Sequence, residues 1–390
     1  MIIVTISANF KGAEGQLHAA ASAATGLTDF GDPAEYLPGL QRLLAALDDN
    51  GPVFKPGGRE FAWNLLVGVL VSRLLSEEGW KAHPACLQHA VTRPLIVIGI
   101  PRTGTTALHK LLSMDPQFQG MERWLTAFPM PRPERATWAS NPWYQACAAG
   151  LEQFFAAAPH MRAAHDMRAD DVDECLEVLK QNFCSNFFGS SLRVPDYDRW
   201  WLEQSEASSY RRLRKVIQLI GANSPKKTWL LKNPGHVAQV GNLLDVFPDA
   251  CVIQTHRAPA SALPSLCSVL REARSILEEG VDTRAIGERE ASYWGAAVED
   301  AHRARARAPS QFLDIQQQDI QRKPMAVIQT IYQHFGLTLG DEARARMLQR
   351  ISAAPEARHG EHRYSAETYG LDPDRVNQQF ASYIQRQALA

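Results

Sequence analysis

The sequence has 390 residues, of which 45% are hydrophobic and 21% charged, so it is long enough for one large domain or two ordinary ones. Its 41 basic and 42 acidic side chains leave a formal net charge of -1, which argues against a nucleic-acid binder with a globally basic surface. The six cysteines form no CxxC pair and no group with histidines, which argues against a zinc site or a disulfide framework. A reducing, cytoplasmic compartment is therefore the expectation.

The N-terminal part is predicted to precede the main domain. Residues 1–34, whose later part is rich in Ala, Gly and Ser, are interpreted as a flexible leader without the features of a secretory signal. Residues 35–92 are predicted to form a helical cap, because apolar residues recur there at three- and four-residue spacing. The most apolar run, at 61–75, is too short to cross a bilayer and contains Asn64 and Arg73, so no membrane role is expected.

From residue 93 to 390 the pattern changes to short apolar runs that alternate with helical segments. This pattern is typical of an α/β fold with a central parallel sheet flanked by helices. Strands are predicted at 95–100, 228–231, 251–256 and 311–315. Helices are predicted at 104–114, 171–187, 236–246, 260–274, 288–307 and 324–335. Too many residues separate the first two strands for one crossover, so a large helical insertion for substrate recognition is predicted at about 123–225.

The first predicted strand leads into a loop that has the outline of a phosphate-binding loop. In the stretch PLIVIGIPRTGTTALHKLL, Gly99 and Gly104 have the spacing of G-x-x-x-x-G-K-[ST], which would aim backbone N–H groups at an anion. Thr105 stands where nucleotide triphosphatases carry lysine, and no clear Walker-B carboxylate ends a later strand. The sequence of this P-loop-like segment therefore argues against triphosphate hydrolysis. The positive charge of the loop is supplied by Arg102.

These residues resemble a known family. PRTGTT is similar to the 5′-phosphosulfate loop of bacterial sulfotransferases, P-[KR]-[ST]-G-T-[TS], which use 3′-phosphoadenosine 5′-phosphosulfate (PAPS) and release 3′-phosphoadenosine 5′-phosphate (PAP). The resemblance extends to Arg257 and Ser265, which have the interval of that family's 3′-phosphate motif, and bidentate arginine suits such a phosphate. The stretch LKNPGH resembles the family's L-K-[SN]-P-x-H. Ala258 departs from its H-R-D-P.

Two further segments bear on the nucleotide. GEHRYSAETYGL resembles the family's C-terminal loop, which implies that Arg363, Tyr364 and Ser365 contact phosphate or adenine. Ala107 stands where many animal cytosolic sulfotransferases place a tryptophan that stacks on adenine. The resemblance therefore leaves open which side chain stacks on the base. A plain surface loop at 360–371 is the alternative.

The resemblance also implies catalytic roles. Arg102 and Lys232 would stabilise charge on the departing phosphate, and backbone N–H groups of Thr103, Gly104, Thr105 and Thr106 would bind it, with no metal required. Sulfuryl transfer needs a base, for which Glu122 is the first candidate. His236 and His165 are the alternatives. Each of these residues also has an ordinary structural explanation, such as a surface ion pair for Lys232.

The predicted function is PAPS-dependent sulfuryl transfer to a hydroxyl or amine of a small-molecule acceptor. A P-loop nucleotide or small-molecule kinase and a non-catalytic nucleotide-binding protein are the alternatives. Aromatic residues in the insertion fit a pocket for an apolar alcohol, but they fit a helical core equally well. The N-terminal cap could also serve a homodimer. The acceptor itself cannot be identified from the sequence.

Overall fold

The computed structural model describes residues 9–157, 167–353 and 365–389. Contacts divide the chain into two compact units, which we call the helical unit and the sheet unit. The helical unit comprises Met1–Ala90, Met121–Pro225 and Glu272–Val281 as far as they are described. The sheet unit comprises Val91–Gly120, Lys226–Arg271 and Asp282–Ala390 with the same restriction. Each unit is described by itself below.

The sheet unit contains, over its described residues, five parallel strands in the order β2-β3-β1-β4-β5. Their bounds are β1 Leu95–Gly99, β2 Phe118–Gln119, β3 Thr228–Lys232, β4 Cys251–His256 and β5 Phe312–Gln316. All five residues of β1 are buried, as expected for a central strand covered on both faces. The predicted α/β fold and its four strands are thus confirmed, whereas β2, only two residues long, carried no recognisable pattern.

Helices flank this sheet. Their bounds are Thr105–Leu112, Val240–Val246, Pro259–Ser275 (to Arg271 within this unit), Thr283–Arg305, Gln317–Arg322, Pro324–Phe335, Asp341–Ala353, Pro373–Gln379 and Ala381–Arg386. Short 3-10 helices span Pro234–Gln239, Pro309–Gln311 and Ala366–Tyr369. Leu108 and Leu112 of the first helix pack with Val97, Ile253 and Ile328 in the apolar core, which fixes that helix against β1 and β4.

The helical unit has no strand among its described residues longer than an isolated bridge. Its helices are Glu14–Thr25, Leu37–Asp49, Gly58–Ala82, Arg123–Ala127, Pro142–Ala157, Leu176–Leu179, Asn186–Ser191, Pro195–Leu202 and Ala207–Ile220. Its 3-10 helices are Pro33–Glu35, Pro84–Gln88, Arg135–Ser140 and Lys180–Asn182. The long helix Gly58–Ala82 buries Trp63, Leu66, Leu70 and Leu74 at the spacing of one helical face. Among the described helices of the whole chain, none has the length and apolarity that a membrane span requires.

Two local expectations differ from the structure. The segment interpreted as a loose leader contains the helix Glu14–Thr25, which buries Leu17 and Ala21. The long helix predicted at 171–187 is wrong: the chain forms short helices that are interrupted at Phe183, whose φ is 52°. The buried Arg73 explains part of this break, because its guanidinium donates to the side-chain oxygen of Asn182 at 2.6 Å.

Candidate functional site

The loop after β1 is shaped by two glycines with positive φ. Gly99 has φ 150° and Gly104, directly before the helix Thr105–Leu112, has φ 91°. A Cβ on Gly99 would lie 2.4 Å from Thr255 Oγ1 and 2.8 Å from Thr103 Oγ1, so no side chain fits there. The first backbone N–H groups of a helix have no partner within the helix. The loop therefore places backbone N–H donors at the start of this helix, an arrangement that suits an anion.

Thr103 closes the loop with its side chain. Its buried hydroxyl lies 2.7 Å from the carbonyl oxygen of Ile100 and 2.6 Å from Thr255 Oγ1 on the neighbouring strand β4. Two hydrogen bonds to the protein occupy this hydroxyl. Any contact of Thr103 with an anion would therefore come from its backbone, as the sequence predicted. Thr255 was not predicted, and its only signal was its place one residue before the end of β4.

The structure brings Arg102, Ser265 and Arg257 together. Arg102 has φ 72°, which is rare for a residue with a Cβ. Its Nε donates to Ser265 Oγ at 3.0 Å, and Arg257 Nη1 donates to the carbonyl oxygen of Arg102 at 3.2 Å. β1 and β4 are parallel neighbours, so their carboxyl ends meet at one edge of the sheet. The residues of two predicted phosphate motifs, which lie far apart in sequence, thus form one cluster.

Lys232 reaches the same loop from the other side of β1. It is the last residue of β3, is only 2% exposed, and donates from Nζ to Thr106 Oγ1 at 3.2 Å. Lys232 therefore places a positive charge directly beside the glycine loop. Three neighbouring strands supply the loop, Lys232 and Arg257 to one edge of the sheet.

The other side chains predicted to serve the nucleotide or the chemistry differ in burial, and three of them lie outside the described residues. His236 lies in the 3-10 helix Pro234–Gln239, where burial lowers its pKa to about 3. It is therefore neutral near pH 7 and a weak proton acceptor. Ser365 is exposed. His165, Arg363 and Tyr364 lie outside the described residues.

Glu122 belongs to the helical unit, at the start of the short helix Arg123–Ala127. Its Oε2 accepts from Arg132 Nε at 3.0 Å, and each of the two side chains is 15% exposed. Glu122 also forms an antiparallel bridge with Val172, which ties its backbone to the segment that follows residue 167. The carboxylate is therefore held in one orientation and remains partly accessible. Sequence reasoning missed Arg132, although Pro131 and Pro133 on either side signalled a rigid backbone.

Asp170 and Asp173 lie before the helix that begins at Leu176 and pair with arginines of the helical unit. Asp173 Oδ2 lies 2.6 Å from Arg123 Nη1, and Asp170 Oδ2 lies 2.6 Å from Arg135 Nη2. Burial raises the pKa of Asp173, while the charge of Arg123 opposes this shift. The cluster therefore fixes the surroundings of Glu122.

Comparisons with known proteins place these features in a family. The model of the sulfotransferase family matches residues 94–341. The chain is 36% identical to sulfotransferase STF1 from Mycobacterium tuberculosis H37Rv, whose crystal structure superposes with a TM-score of 0.87 over 96% of this chain and 100% of that one. Sulfotransferase STF9 from Mycobacterium avium gives a TM-score of 0.88 at 28% identity, over 97% of each chain.

A curated relative is 26% identical over 260 residues: the omega-hydroxy-beta-dihydromenaquinone-9 sulfotransferase Stf3 of Mycobacterium bovis. The match covers 63% of this chain and 63% of the length of that relative. The family match covers more than half of the chain and includes the loop, Lys232, Arg257 and Ser265. The chain belongs to the sulfotransferase family.

Proposed function

We propose that the protein transfers a sulfuryl group from PAPS to a hydroxyl or amine of a small-molecule acceptor and releases PAP. The observation that carries this proposal is the cluster of Arg102, Ser265 and Arg257 beside the glycine loop. The first phosphate grip is the glycine loop with Arg102, at the start of the helix Thr105–Leu112. The second, the 3′-phosphate grip, is Arg257 with the hydroxyl of Ser265. A nucleotide phosphorylated at both its 5′ and 3′ positions matches two such grips, whereas ATP carries no 3′-phosphate.

The residues present fit this nucleotide. The loop has no Cβ at Gly99 or Gly104, so a phosphate can approach the backbone closely. Arg102, Lys232 and Arg257 supply three cations around it, which suits an anion with several charges. PAPS, when bound, would supply the sulfuryl group, whose bond to the phosphate oxygen breaks as the bond to the acceptor forms. No metal is part of this proposal.

The chain's own groups have separate roles in the proposed reaction. Backbone N–H groups of Thr103, Gly104, Thr105 and Thr106 bind the 5′-phosphate. Lys232 and Arg102 stabilise the negative charge that develops on the leaving oxygen. Glu122 takes the proton of the acceptor, and its ion pair with Arg132 orients the carboxylate. His236 is the weaker candidate because burial lowers its pKa to about 3.

The acceptor class rests on a curated relative and on the aromatic residues of the helical unit. The curated relative is named for omega-hydroxy-beta-dihydromenaquinone-9, which supports a hydroxyl as the acceptor group. The helical unit contains a stacked, partly exposed aromatic pair, Phe128 and Trp143, which suits an apolar or aromatic alcohol. A cytoplasmic location and a homodimer remain parts of the proposal.

A thermal-shift experiment separates the proposed donor from the kinase alternative. PAP should raise the melting temperature of the protein, because two phosphate grips bind only the native state. ATP with Mg²⁺ should raise it less, because one grip is left without a partner. A larger shift with ATP and Mg²⁺ than with PAP would contradict the proposal and favour phosphoryl transfer.

Turnover tests the proposed base. Acceptors are screened with PAPS carrying labelled sulfur, and the best one is used with Glu122→Gln. The variant should lose about 10²- to 10⁴-fold in kcat, since it cannot accept a proton. Its affinity for PAP should be unchanged. Glu134→Gln is the matched control, because Glu134 is an exposed glutamate in the same unit. Unchanged turnover in Glu122→Gln would remove Glu122 from the mechanism, and no labelled product with any acceptor would favour a non-catalytic protein.

A further inference from the structure

A buried histidine stands directly before Arg257 and has no role in the proposed reaction. His256 is the last residue of β4, and its side chain is fully buried. Both ring nitrogens have partners: Nε2 lies 2.8 Å from Asp314 Oδ1 on β5, and Nδ1 lies 2.8 Å from the hydroxyl oxygen of Tyr383. The ring therefore joins the end of β4 to two other elements of the sheet unit.

Asp314, the partner of His256 Nε2, is itself held in place by Arg305. Its two oxygens accept from Arg305 Nη1 at 2.8 Å and Arg305 Nη2 at 2.9 Å, a bidentate pair. Although burial acts in the opposite direction, hydrogen bonds from His256 and Arg305 hold the pKa of Asp314 below its usual range. The carboxylate is thus charged and can only accept. His256 Nε2 must donate to it, so in a neutral ring Nδ1 accepts the hydrogen of the Tyr383 hydroxyl.

Tyr383 is the other partner of His256, and it belongs to the short helix Ala381–Arg386 near the C-terminus. Its side chain is 2% exposed and its ring lies 5.6 Å from the ring of His256, centroid to centroid. Two further contacts hold this segment: Arg386 Nη2 lies 2.6 Å from Glu299 Oε1, and Gln316 Nε2 donates to the carbonyl oxygen of Gln387 at 2.9 Å. The C-terminal helix is therefore anchored beside the ends of β4 and β5.

The position of Arg257 depends on the end of β4, because Arg257 is the next residue. Its contact with the Arg102 carbonyl oxygen is 3.2 Å long, near the limit of a good hydrogen bond. The guanidinium is a rigid planar fork, so a small displacement of its backbone changes how it meets a phosphate. A hydrogen bond that fixes the end of β4 therefore also fixes the direction in which the Arg257 guanidinium points.

We propose that His256 is a positioning residue for Arg257, and that Tyr383 in the C-terminal helix sets the affinity of the 3′-phosphate grip through it. This inference rests on the proposed function, since it takes Arg257 to bind the 3′-phosphate of the nucleotide. His256 does not touch the nucleotide itself. Its effect is selective: binding that depends on the 3′-phosphate changes, and binding through the glycine loop does not.

The test measures two dissociation constants for each variant by calorimetry, one for PAP and one for adenosine 5′-phosphate, which lacks the 3′-phosphate. Their ratio isolates the 3′-phosphate. In Tyr383→Phe the ring remains and the hydrogen bond to Nδ1 is lost, so PAP binding should weaken about fivefold. Adenosine 5′-phosphate binding should not change. His256→Gln, which retains a donor for Asp314 but has no group at the Nδ1 position, should likewise raise the ratio of the PAP dissociation constant to the adenosine 5′-phosphate dissociation constant.

Tyr332→Phe is the matched control. Tyr332 is a buried tyrosine of the same unit whose hydroxyl donates to Asp115 Oδ2 at 2.6 Å and not to His256. Its substitution should leave the ratio as in the unaltered protein. An unchanged ratio in Tyr383→Phe, or equal weakening of both nucleotides, would overturn the inference while the proposed function stands. If the unaltered protein binds both nucleotides equally, the proposed function fails, and the inference fails with it.

Discussion

The proposed phosphate site of the sheet unit and the proposed Glu122 site of the helical unit are built in different ways. In the sheet unit, three parallel strands end at one edge and deliver Lys232, the glycine loop and Arg257. In the helical unit, Glu122 lies at the start of a five-residue helix and is held by an ion pair with Arg132. The first site depends mainly on the geometry of the glycine loop and strand ends, and the second on a side-chain ion pair.

This difference has consequences for tolerance to substitution. A backbone-built site fails when a side chain enters the space that the glycines keep open. A site held by ion pairs fails when charge is removed, and the fold around it can survive.

Gly99→Ala should cause a large loss in the free energy of unfolding. The new Cβ would lie 2.4 Å from Thr255 Oγ1 and 2.6 Å from the Thr255 carbonyl oxygen, and φ would remain near 150°. We expect a loss of at least about 3 kcal/mol in the free energy of unfolding, from steric overlap and backbone strain together. Urea unfolding measures it. The control is Gly68→Ala in the helix Gly58–Ala82, where nothing lies within 4 Å, and stability should rise by about 0.5–1 kcal/mol.

Equal behaviour of the two alanine variants would contradict a loop that is fixed by Gly99. It would also show that Thr255 can move away from β1 without loss. The expected contrast in sign makes this pair informative even if the absolute stabilities are modest.

Lys232→Met should leave the fold intact and remove most turnover. The variant keeps the apolar stem but loses the buried cation that lies 3.2 Å from Thr106 Oγ1. A fall of about 10²- to 10³-fold in kcat is expected, because charge on the leaving oxygen is no longer stabilised. Lys227→Met, the same change at an exposed lysine five residues earlier, should retain kcat. A variant of Lys232 with normal kcat would exclude the lysine from the chemistry.

The two units should respond to pH in opposite directions. Burial lowers the pKa of His236 from 6.5 to about 3, so its contribution to stability is present above pH 6.5 and is lost as the pH falls. Burial raises the pKa of Glu206 in the helical unit from 4.5 to about 7, against a hydrogen bond from Trp201. Its contribution is present below pH 4.5 and is lost as the pH rises towards 7.

Glu206→Gln tests this difference in its simplest form. Relative to the unaltered protein, the variant should be more stable at pH 8 than at pH 5, on the order of 1 kcal/mol for each pH unit crossed below the raised pKa. Urea unfolding at the two pH values provides the comparison, with the exposed Glu203→Gln as control. An equal change in the free energy of unfolding at both pH values would show that the pKa of Glu206 is not raised in the folded protein.

The contrast between the two sites also explains what the sequence could predict. The loop, Lys232 and Arg257 stand at strand ends, where short apolar runs mark the strand and the motif marks the turn. Ser265 follows in the helix Pro259–Ser275, at the interval of the motif. Glu122 was a candidate by its distance along the chain, but its partner Arg132 was not predicted, because ion pairs between loops have no fixed spacing. The helix predicted over 171–187 was wrong because local periodicity does not register a buried arginine that takes Asn182 as its partner.

The central claim is that Arg257 grips a second phosphate of the nucleotide beside the glycine loop. Calorimetric titration with PAP of the unaltered protein and of Arg257→Ala tests it most directly, with the exposed Arg303→Ala as control. Loss of a charged hydrogen-bond donor should weaken PAP binding about 10- to 100-fold in Arg257→Ala and not in Arg303→Ala. Equal dissociation constants for PAP in the unaltered protein and in Arg257→Ala would contradict the account.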